Sequence, residues 1–418
     1  MEQLSYGQFS ANLHQRQSGE RVPLQVSIEV TRRCPLECLH CYNNLPMGDL
    51  EARNRELTRE EHFRVLDELV EMGCFWVLYT GGEVFARKDF LEIYTYAKQK
   101  GFLITLFTNG ILINEQIADY LAEWPPFAIE VTLYGRTRET YEALTMIPGS
   151  YDRCLRGIKL LKQRKLPLKL KTVATSINKH EVMAMRRFAE EELGVEFKMD
   201  GQINPRIDCS TSPLAVRLTP EEVVALDMAS PKTANEYQNL ATRSVTETTT
   251  SVDTLYVCGG GLNSFAINAL GEVGICVLSQ QETFSIRDAG LRTVWENSLL
   301  RLRQRKRTQV TKCAECQIKL LCGMCPANGE MENGDRESPV EFLCHVAHLR
   351  AEVVGLNVPA HGDCDFCEKG ILHDEVVESA RRIRSRQVDV ESWTPPQQVL
   401  PVLNNPGVMV GGCGQCGS

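Results

Sequence analysis

The sequence predicts an α/β protein in which a partial, TIM-like (β/α)6 barrel is followed by a small cysteine-rich domain. Three observations support this prediction. Strand and helix patterns alternate six times between residues 22 and 207, one cysteine group directly follows the first strand, and a second group lies within residues 256–350. Consecutive βα units imply parallel strands with right-handed crossovers, and six units form only part of a closed TIM barrel. We expect the functional loops at the carboxyl ends of these strands.

The strands are predicted from short apolar or alternating runs. In the first strand, Leu24, Val26, Ile28 and Val30 face one way, and Gln25, Ser27 and Glu29 face the other. Later strands are predicted at residues 75–79, 102–107, 129–133, 168–173 and 195–199. The helix after the first strand begins with the capping-box spacing of Thr58 and Glu61 and ends at Gly73.

Five segments follow from these patterns. The barrel, residues 22–207, comes after a polar N-terminal extension, residues 1–21. Residues 208–255 are predicted to be a polar linker with a short helix at 220–228, because residues 242–254 show no apolar periodicity. The cysteine-rich domain follows at 256–350. Residues 351–418 are predicted to form a helix at 374–386 and then a Pro/Gly-rich tail that contains two cysteines.

Composition excludes several functional classes. The net charge of -8 argues against bulk nucleic-acid binding, which needs a basic surface. The polar N-terminus is not a signal peptide, and no apolar run approaches the roughly 20 residues of a membrane span. We therefore expect a cytoplasmic protein. Because thiols in the cytoplasm are mostly kept reduced, the 17 cysteines indicate metal ligands rather than disulfides.

The first cysteine group has the spacing C-x3-C-x2-C, formed by Cys34, Cys38 and Cys41. Three thiolates can hold three irons of a cubane cluster and leave the fourth iron open. An open position on a metal is where substrate chemistry takes place. Tyr42, directly after the last cysteine, can pack beside a bound nucleoside. The spacing alone also fits a zinc half-site, or a structural cluster with a distant fourth ligand.

The second strand ends in the turn Gly81-Gly82-Glu83. The glycines permit close approach of the backbone to a ligand, and Glu83 can accept a hydrogen bond from an ammonium group. Together with the cysteine spacing and with Thr108-Asn109-Gly110 after the third strand, this turn resembles the radical S-adenosylmethionine (SAM) superfamily over about residues 22–205.

That resemblance implies a 4Fe–4S cluster that binds SAM and reduces it, which breaks a C–S bond and releases a 5′-deoxyadenosyl radical. It also implies that Gly81, Gly82 and Glu83 hold the SAM amino group and that Thr132 lies near the SAM ribose. For Thr132, a strand-end hydroxyl without a ligand is the alternative interpretation. The sequence assigns no catalytic base.

The second cysteine group has more thiols than one cluster needs. Its members are Cys258, Cys276, Cys313, Cys316, Cys322, Cys325 and Cys344, and Gly271 lies in a predicted hairpin before Cys276. Seven cysteines exceed the four ligands of one cluster, so two metal centres are suggested. The same pattern also fits one or two structural zinc sites.

The arrangement resembles the SPASM extension of radical SAM proteins, which contains two auxiliary 4Fe–4S clusters. The resemblance implies one auxiliary cluster on Cys258, Cys276 and Cys325. It implies the other on Cys313, Cys316, Cys322 and Cys344, which gives three clusters in the chain. The first auxiliary set lacks a visible fourth ligand, so a substrate thiolate or a distant cysteine can complete it.

SPASM proteins mostly modify peptides or proteins. The resemblance therefore implies a peptide maturase that forms a thioether or a carbon–carbon cross-link, or that carries out a related oxidation. Val277 replaces the Asp that sulfatase-activating relatives have after the cysteine equivalent to Cys276, which disfavours that chemistry. The run 141–153 resembles the peptide-maturase branch. The alternatives are maturation of a haem, of a metal cofactor or of a protein residue, and, in another class, a non-catalytic iron–sulfur redox or sensor protein.

The partners follow from the same resemblance. Because only about twenty residues precede the first strand, too few for a domain, a separate protein is expected to present any leader peptide. The basic run Arg301–Arg307 can dock an acidic flavodoxin-like or ferredoxin-like reductant. A solvated helix face is the alternative for this run.

The remaining cysteines and two histidines receive weaker predictions. Cys364 with Cys367, and Cys413 with Cys416, can form a joint zinc or cluster site, or a mobile thiol pair, or remain free thiols in an unstructured tail. His345 and His348 are predicted to be surface or packing residues. Cys74, Cys154 and Cys209 are isolated in the sequence and are predicted to be buried as small apolar groups.

Overall fold

Six parallel strands in chain order form the centre of the structure, a computed structural model that describes residues 6–17, 19–246 and 253–396. These strands are β1 Gln25–Thr31, β2 Trp76–Gly81, β3 Leu103–Thr108, β4 Ala128–Thr132, β5 Leu168–Val173 and β6 Phe197–Asp200. Each strand pairs in parallel with the next one along the chain. The predicted α/β class and the six-stranded partial barrel are confirmed.

The strand boundaries differ from the sequence prediction by one or two residues, except in β5, where they agree. β2 continues to Gly81 because Gly81 still pairs with Thr31 of β1. β6 begins only at Phe197, since the amide of Val195 donates instead to the carbonyl of Ala189 at 2.9 Å. Hydrogen bonds to neighbouring segments, which apolar patterns do not encode, therefore set the ends of the strands.

Helices alternate with the barrel strands and pack on one face of the sheet. The helices of the first 246 residues are α1 Tyr6–Arg16, α2 Leu50–Arg55, α3 Arg59–Glu71, α4 Phe90–Gln99, α5 Glu115–Glu123, α6 Arg138–Thr145, α7 Ser150–Gln163, α8 Val182–Arg187, α9 Pro220–Ala229 and α10 Pro231–Thr246. The later ones are α11 Ile286–Ala289, α12 Leu291–Thr293, α13 Leu300–Arg303, α14 Pro326–Asn333, α15 Glu341–Val353 and α16 His373–Arg384. The predicted capping box of Thr58 and Glu61 is present at the start of α3, and Gly73 follows the helix with a φ of +81°.

The two faces of the sheet differ in burial. On β3, Ile104, Leu106 and Thr108 are buried, whereas the alternate residues are partly exposed. β5 shows the same alternation. The buried face packs against the helices, and the other face lines the lumen of the partial barrel. Side chains on the lumen face of the sheet are therefore placed to meet a ligand.

The cysteine-rich region extends the barrel sheet at its β1 edge. Strand β7, Ser264–Ile267, runs parallel to β1, and β8, Glu272–Gly274, pairs antiparallel with β7. A two-residue strand, β9 Phe284–Ser285, completes the sheet. The predicted hairpin at Gly271 is thus confirmed, and it places the second cysteine group next to the strand that precedes the first. The predicted division into domains stays a prediction.

The predicted linker contains more helix than the sequence indicated. α9 agrees with the predicted short helix, but the polar segment after it forms α10. Tyr237 of α10 packs under the guanidinium of Arg350, 4.5 Å from the ring centroid, and Ala241 is buried. The linker prediction was wrong here because sparse apolar contacts at helical spacing stabilise an otherwise polar helix. Residues 247–252 of the predicted loop lie outside the described residues.

The basic run Arg301–Arg307 is only partly helical. α13 ends at Arg303, and Leu302 is buried beneath it. Arg305 forms a bidentate pair with Glu282, with distances of 2.7 and 2.9 Å. Some of the positive charge is therefore already paired within the molecule, and docking of a reductant stays a prediction. Among the described residues, no helix is long and apolar enough to cross a membrane.

A buried ion pair lies behind the loop that follows β1. Arg33 donates two hydrogen bonds of 2.9 Å to the carboxylate of Glu56, and both side chains are more than nine-tenths buried. Thr31 also donates to Glu56, and Arg87 reaches the carbonyl of Val30 at 3.3 Å. Because Thr31 and Arg33 lie just before Cys34, this network fixes the backbone at the start of the first cysteine group.

We expect Glu56→Ala to lower the free energy of unfolding by about 3–5 kcal/mol, because it leaves the buried guanidinium of Arg33 without its counter-ion. Glu51→Ala is the matched control: Glu51 pairs with Arg55 on the exposed side of the same helix, at 3.5 Å. That change should cost at most about 1 kcal/mol. Denaturant unfolding of the full chain measures both, and equal losses would contradict the role assigned to the buried pair.

Candidate functional site

The first cysteine group lies in a closed loop at the carboxyl end of β1. Arg33–Cys34 and Leu45–Pro46 pair as two short parallel strands, which joins the two ends of the loop. The amide of Leu36 and the Nδ2 of Asn109 each lie 3.5 Å from the Sγ of Cys34. These donors suit a negatively charged sulfur, and an N–H group that faces a metal-bound thiolate stabilises its charge.

The three thiols of this loop share one buried environment. Burial, with smaller contributions from Glu83 and Cys41, raises the pKa of Cys34 to about 12. Burial also raises the pKa of Cys38 well above its usual range, with contributions from Cys41 and Cys34. Three adjacent thiols of this kind ionise together only on a cation, and coordination deprotonates a thiol outright. The donor set of Cys34, Cys38 and Cys41 therefore fits an iron–sulfur cluster.

The glycine turn of β2 is held against this loop. A Cβ on Gly81 would lie 2.1 Å from the carbonyl oxygen of Thr31, and a Cβ on Gly82 would lie 2.4 Å from that of Arg32. The amide of Gly82 donates to the Thr31 carbonyl at 2.7 Å. The close backbone approach that the sequence predicted for a ligand is made instead to the first cysteine loop, and the role of this turn in binding SAM stays a prediction.

Glu83 connects the glycine turn to the third strand. Its carboxylate accepts hydrogen bonds from the Thr108 hydroxyl at 2.7 Å and from the Asn109 amide at 2.8 Å. Burial raises the pKa of Glu83 to about 7, although these donors lower it. Because Asn109 also donates to Cys34, motifs from three successive strands form one hydrogen-bonded chain. The sequence placed these motifs at strand ends but did not predict their connection.

Thr132 ends β4 opposite a lysine that the sequence analysis did not single out. Thr132 pairs in register with Lys171 on β5. The ammonium of Lys171 lies 2.8 Å from the ring centroid of Phe107 and 3.8 Å from the carboxylate of Glu130. Burial lowers the pKa of Lys171 to about 7, and Glu130 opposes this shift. In the sequence, this lysine alternates with the buried leucines of β5, a pattern that indicates a charged side chain on the opposite face of the strand.

Glu29 is a second lumen residue, for which the sequence predicted only the face of β1 that it occupies. It is 2% exposed, and its carboxylate accepts from the Nδ2 of Asn43 at 2.7 Å. Burial raises its pKa. Burial also raises the pKa of Tyr42 well above the usual range, and Glu29, Cys41 and Cys276 act in the same direction. Charges at Cys41 of the first group and at Cys276 of the second would therefore both act on Tyr42.

A direct hydrogen bond also joins the two cysteine regions. Arg32, in the loop after β1, donates to the side chain of Gln280 at 3.1 Å. Gln280 in turn donates to the carbonyl of Val277 at 3.1 Å, next to Cys276. The sequence separates these residues by about 250 positions, so the contact depends on the sheet extension by β7 and β8.

The second cysteine group surrounds one cavity of about 240 Å³. Six of its cysteines line this cavity: Cys258, Cys313, Cys316, Cys322, Cys325 and Cys344. Cys276 lies nearby: burial raises its pKa to about 11, and Cys325 and Cys258 contribute. Lys312, Lys319 and Arg336 also line the cavity, which favours a negatively charged occupant. The described part of the chain thus brings together the predicted auxiliary cysteines, and their division into two ligand sets stays a prediction.

Further ligand-type residues adjoin this cavity. Cys364 and Cys367 are buried, and the ring of His348 is buried with its Nε2 3.5 Å from the Sγ of Cys364. His348 is therefore a packed interior residue and not a surface one. Cys413 and Cys416, the other predicted thiol pair, lie outside the described residues. Cys74, Cys154 and Cys209 are buried, as predicted.

The fold and this site agree with one known family. Residues 28–189 match the family described as "Radical SAM superfamily". The chain contains a radical SAM domain. Membership of that family implies SAM and one 4Fe–4S cluster, and it disfavours the alternative of a non-catalytic redox protein.

This radical SAM enzyme has several curated relatives. It is 24% identical to the AdoMet-dependent heme synthase of Methanosarcina barkeri over 334 residues, which cover 75% of this chain and 94% of that protein. It is 34% identical over 191 residues to the Fe-coproporphyrin III synthase of the same organism, covering 45% of this chain and 47% of the relative. It is 30% identical over 161 residues to the PqqA peptide cyclase of Bradyrhizobium diazoefficiens, covering 38% of this chain and 42% of the relative. The chain thus spans about half the length of the last two.

Two solved structures share the fold over most of their length. Streptococcus suis SuiB bound to S-adenosylmethionine superposes with a TM-score of 0.61 at 15% identity, covering 82% of both chains. The protein anSMEcpe with bound AdoMet and Cp18Cys peptide gives a TM-score of 0.55 at 17% identity, covering 86% of this chain and 99% of the other. At these identities the likeness concerns the fold.

We expect Gly82→Ala to displace the first cysteine loop, because the added Cβ meets the carbonyl oxygens of Arg32 and Arg33 at 2.4 and 2.6 Å. Iron bound per chain after anaerobic reconstitution should fall by about one cluster's complement of four. Gly48→Ala is the control, since a Cβ there meets no atom within 4 Å. Unchanged iron in Gly82→Ala would show that the turn does not hold the loop.

Proposed function

We propose that this radical SAM enzyme is a peptide maturase that abstracts a hydrogen atom from a peptide and forms a thioether or a carbon–carbon cross-link, or carries out a related oxidation. Bound SAM, reduced by the cluster, would supply the 5′-deoxyadenosyl radical. The names of two relatives support a peptide substrate. One is the PqqA peptide cyclase, and the other is SuiB, which has also been solved bound to precursor peptide SuiA.

The observation that carries the proposal is the contact between the two cysteine regions. Arg32, two residues before Cys34, is hydrogen-bonded to Gln280, and Gln280 donates to the carbonyl of Val277 beside Cys276. When a carbon radical and a thiol form a C–S bond, the thiol loses a proton and the product releases one electron. An electron acceptor in the second cysteine region would then lie next to the place where the radical forms. This arrangement suits an oxidative cross-link.

The residues of the first site receive specific roles in this proposal. Cys34, Cys38 and Cys41 would bind the cluster and leave one iron for SAM. Gly81, Gly82 and Glu83 would contact the SAM amino group, with Glu83 also fixing the loop at Asn109. Thr132 would lie near the ribose, and Tyr42 beside the nucleoside.

Lumen residues would position the peptide. The carboxylate of Glu130 and the ammonium groups of Lys171 and Lys198 form a charged group on the lumen face of the sheet. β6 is the last strand of the described sheet. An extended chain that entered the lumen would pair its own charges with these side chains. The lumen is therefore suited to a peptide segment.

The auxiliary centres follow the same reasoning. Cys258, Cys276 and Cys325 would hold one auxiliary cluster, with its fourth ligand unassigned. Cys313, Cys316 and Cys322 would belong to the second. Cys344, which the family resemblance adds to the second set, lies within 4.8 Å of the ligand atoms of His348 and Cys364.

The partners of the proposed enzyme would lie in the cytoplasm. A flavodoxin-type or ferredoxin-type reductant would dock at Arg301–Arg307, where Arg301 and Lys306 remain exposed. A separate protein would present the leader of the peptide substrate.

Maturation of a porphyrin is the second candidate. It is favoured by the match to the heme synthase of Methanosarcina barkeri, which spans 94% of that protein and 75% of this chain. The charged lumen of the barrel argues for a peptide.

We expect Cys34→Ala, Cys38→Ala and Cys41→Ala each to lower the formation of 5′-deoxyadenosine from SAM and dithionite by at least about a hundredfold, because two thiolates no longer hold the cluster with one iron open. Cys74→Ala is the control, since Cys74 is a buried thiol remote from the loop. The product is measured by chromatography under anaerobic conditions. Undiminished product from the loop variants would disprove the assigned role of these cysteines.

The substrate class is tested by deuterium transfer. Anaerobic incubation with a fully deuterated peptide encoded near the gene should place one deuterium in 5′-deoxyadenosine per cross-link. The peptide should lose that deuterium together with either one thiol hydrogen, for a thioether, or one further carbon-bound deuterium, for a carbon–carbon cross-link. Incubation with Fe-coproporphyrin III should leave the product unlabelled and the porphyrin unchanged. Modification of the porphyrin without any change in the peptide would favour the second candidate.

A further inference from the structure

Three ligand-type side chains meet at the end of the cysteine-lined cavity. The ligand atoms of Cys344, His348 and Cys364 all lie within 4.8 Å of one another, and all three residues are buried. No other group of three histidine, cysteine or acidic residues in the described ranges is this compact. Cys344 and His348 are one helical turn apart on α15, so they share a face, and Cys364 approaches that face from the following segment.

The spacing within this group fits a single metal ion. A tetrahedral zinc ion with Zn–S and Zn–N bonds of about 2.3 and 2.0–2.1 Å separates its sulfur and nitrogen ligands by about 3.6 Å. The Sγ of Cys364 and the Nε2 of His348 are 3.5 Å apart. In a cubane each cysteine binds a different iron, so its sulfurs stand farther apart than the ligands of one ion. The compact spacing therefore favours a mononuclear site over an iron–sulfur cluster.

The orientation of His348 leaves its Nε2 free to bind a metal. The Nδ1 atom lies 2.8 Å from the carbonyl oxygen of Cys344. Because a carbonyl can only accept, Nδ1 must carry the ring hydrogen in the neutral side chain, and Nε2 then presents a lone pair. Metal-binding histidines are commonly oriented by a hydrogen bond of this kind from their other nitrogen.

A second histidine beside the group has an unsatisfied nitrogen. His361 stacks on His348 with 5.9 Å between ring centroids and 10° between ring planes. Its Nδ1 lies 3.0 Å from the carbonyl of Pro359, and its buried Nε2 has no hydrogen-bond partner. A buried polar atom without a partner is costly, and a metal ion would satisfy it. His361 lines the same cavity as Cys344 and His348.

We propose that Cys344, His348 and Cys364 bind one divalent ion of the zinc type, and that His361, which lies outside this compact group, turns its unpartnered Nε2 toward the ion as the fourth ligand. Two thiolates and two neutral imidazoles balance the charge of such an ion, and four protein ligands make a closed, structural site. The bound ion would cross-link α15 to the segment that precedes α16. Cys344 would then leave the second auxiliary set, whose cysteines would be Cys313, Cys316 and Cys322. This site does not depend on the substrate proposed above.

The test is metal content of the full chain, purified and reconstituted anaerobically with iron, sulfide and one equivalent of zinc. We expect one tightly bound zinc per chain, and its loss in Cys364→Ala and in His348→Ala with iron content unchanged. His345→Ala is the matched control: His345 lies on the same helix and stacks on Phe366 at 4.8 Å, outside the group. This variant should retain zinc. Cys344→Ala should lose zinc and keep its iron.

X-ray absorption at the zinc edge gives a readout that does not depend on activity. The wild type should show two sulfur ligands at about 2.3 Å and two nitrogen ligands at about 2.0–2.1 Å. If the alanine variants fail to fold, His348→Cys should still bind zinc, with a shell of three sulfurs. Absence of zinc from the wild type, a four-sulfur shell, or joint loss of iron and zinc in Cys364→Ala would each overturn the proposal. SAM cleavage by the wild type tests the proposed enzyme separately.

Discussion

The first cysteine loop is in direct backbone contact with the turn that ends the second barrel strand, and the space between them is too small for a side chain. The amide of Gly82 donates to the carbonyl of Thr31 at 2.7 Å, and a Cβ on Gly82 would lie 2.4 Å from the carbonyl oxygen of Arg32, so that only glycine fits there. The buried pair of Arg33 and Glu56 fixes the same segment from behind. The loop is therefore determined from two sides before any metal binds. Such preorganisation matters because a ligand set that must be ordered on binding loses affinity to conformational entropy.

The same loop is coupled electrostatically to the rest of the lumen. Glu83 accepts two hydrogen bonds, from Thr108 and Asn109 at the end of the third strand, and the Nδ2 of Asn109 donates to the Sγ of Cys34. In a buried site such a chain responds as a unit, because the low local dielectric strengthens each interaction. Removal of any one member changes the charge that the neighbouring sulfur experiences. Three short motifs that are far apart in the sequence thereby act on one metal site.

The fold could be predicted well from local patterns, and the site only in part. Alternating and apolar runs identified every barrel strand, because residue spacing and strand geometry have the same period. α10 was missed because its few apolar contacts, such as Tyr237 beneath Arg350, form with a distant helix. Glu29 and His348 were placed on a strand and on a helix face, but their burial depends on which segments later pack against them. A pattern gives a side chain's direction, and only tertiary structure gives its neighbours.

The second cysteine region shows how spacing decides between metals when composition does not. A chain with more thiols than one cluster requires leaves the partition among centres open, since cysteine binds zinc and iron alike. Distances resolve this, because ligands of one ion are held close together whereas ligands of a cubane bind separate irons. Cys344 belongs to the compact group with His348 and Cys364 by this criterion. The other cavity cysteines form no such compact group in the described structure.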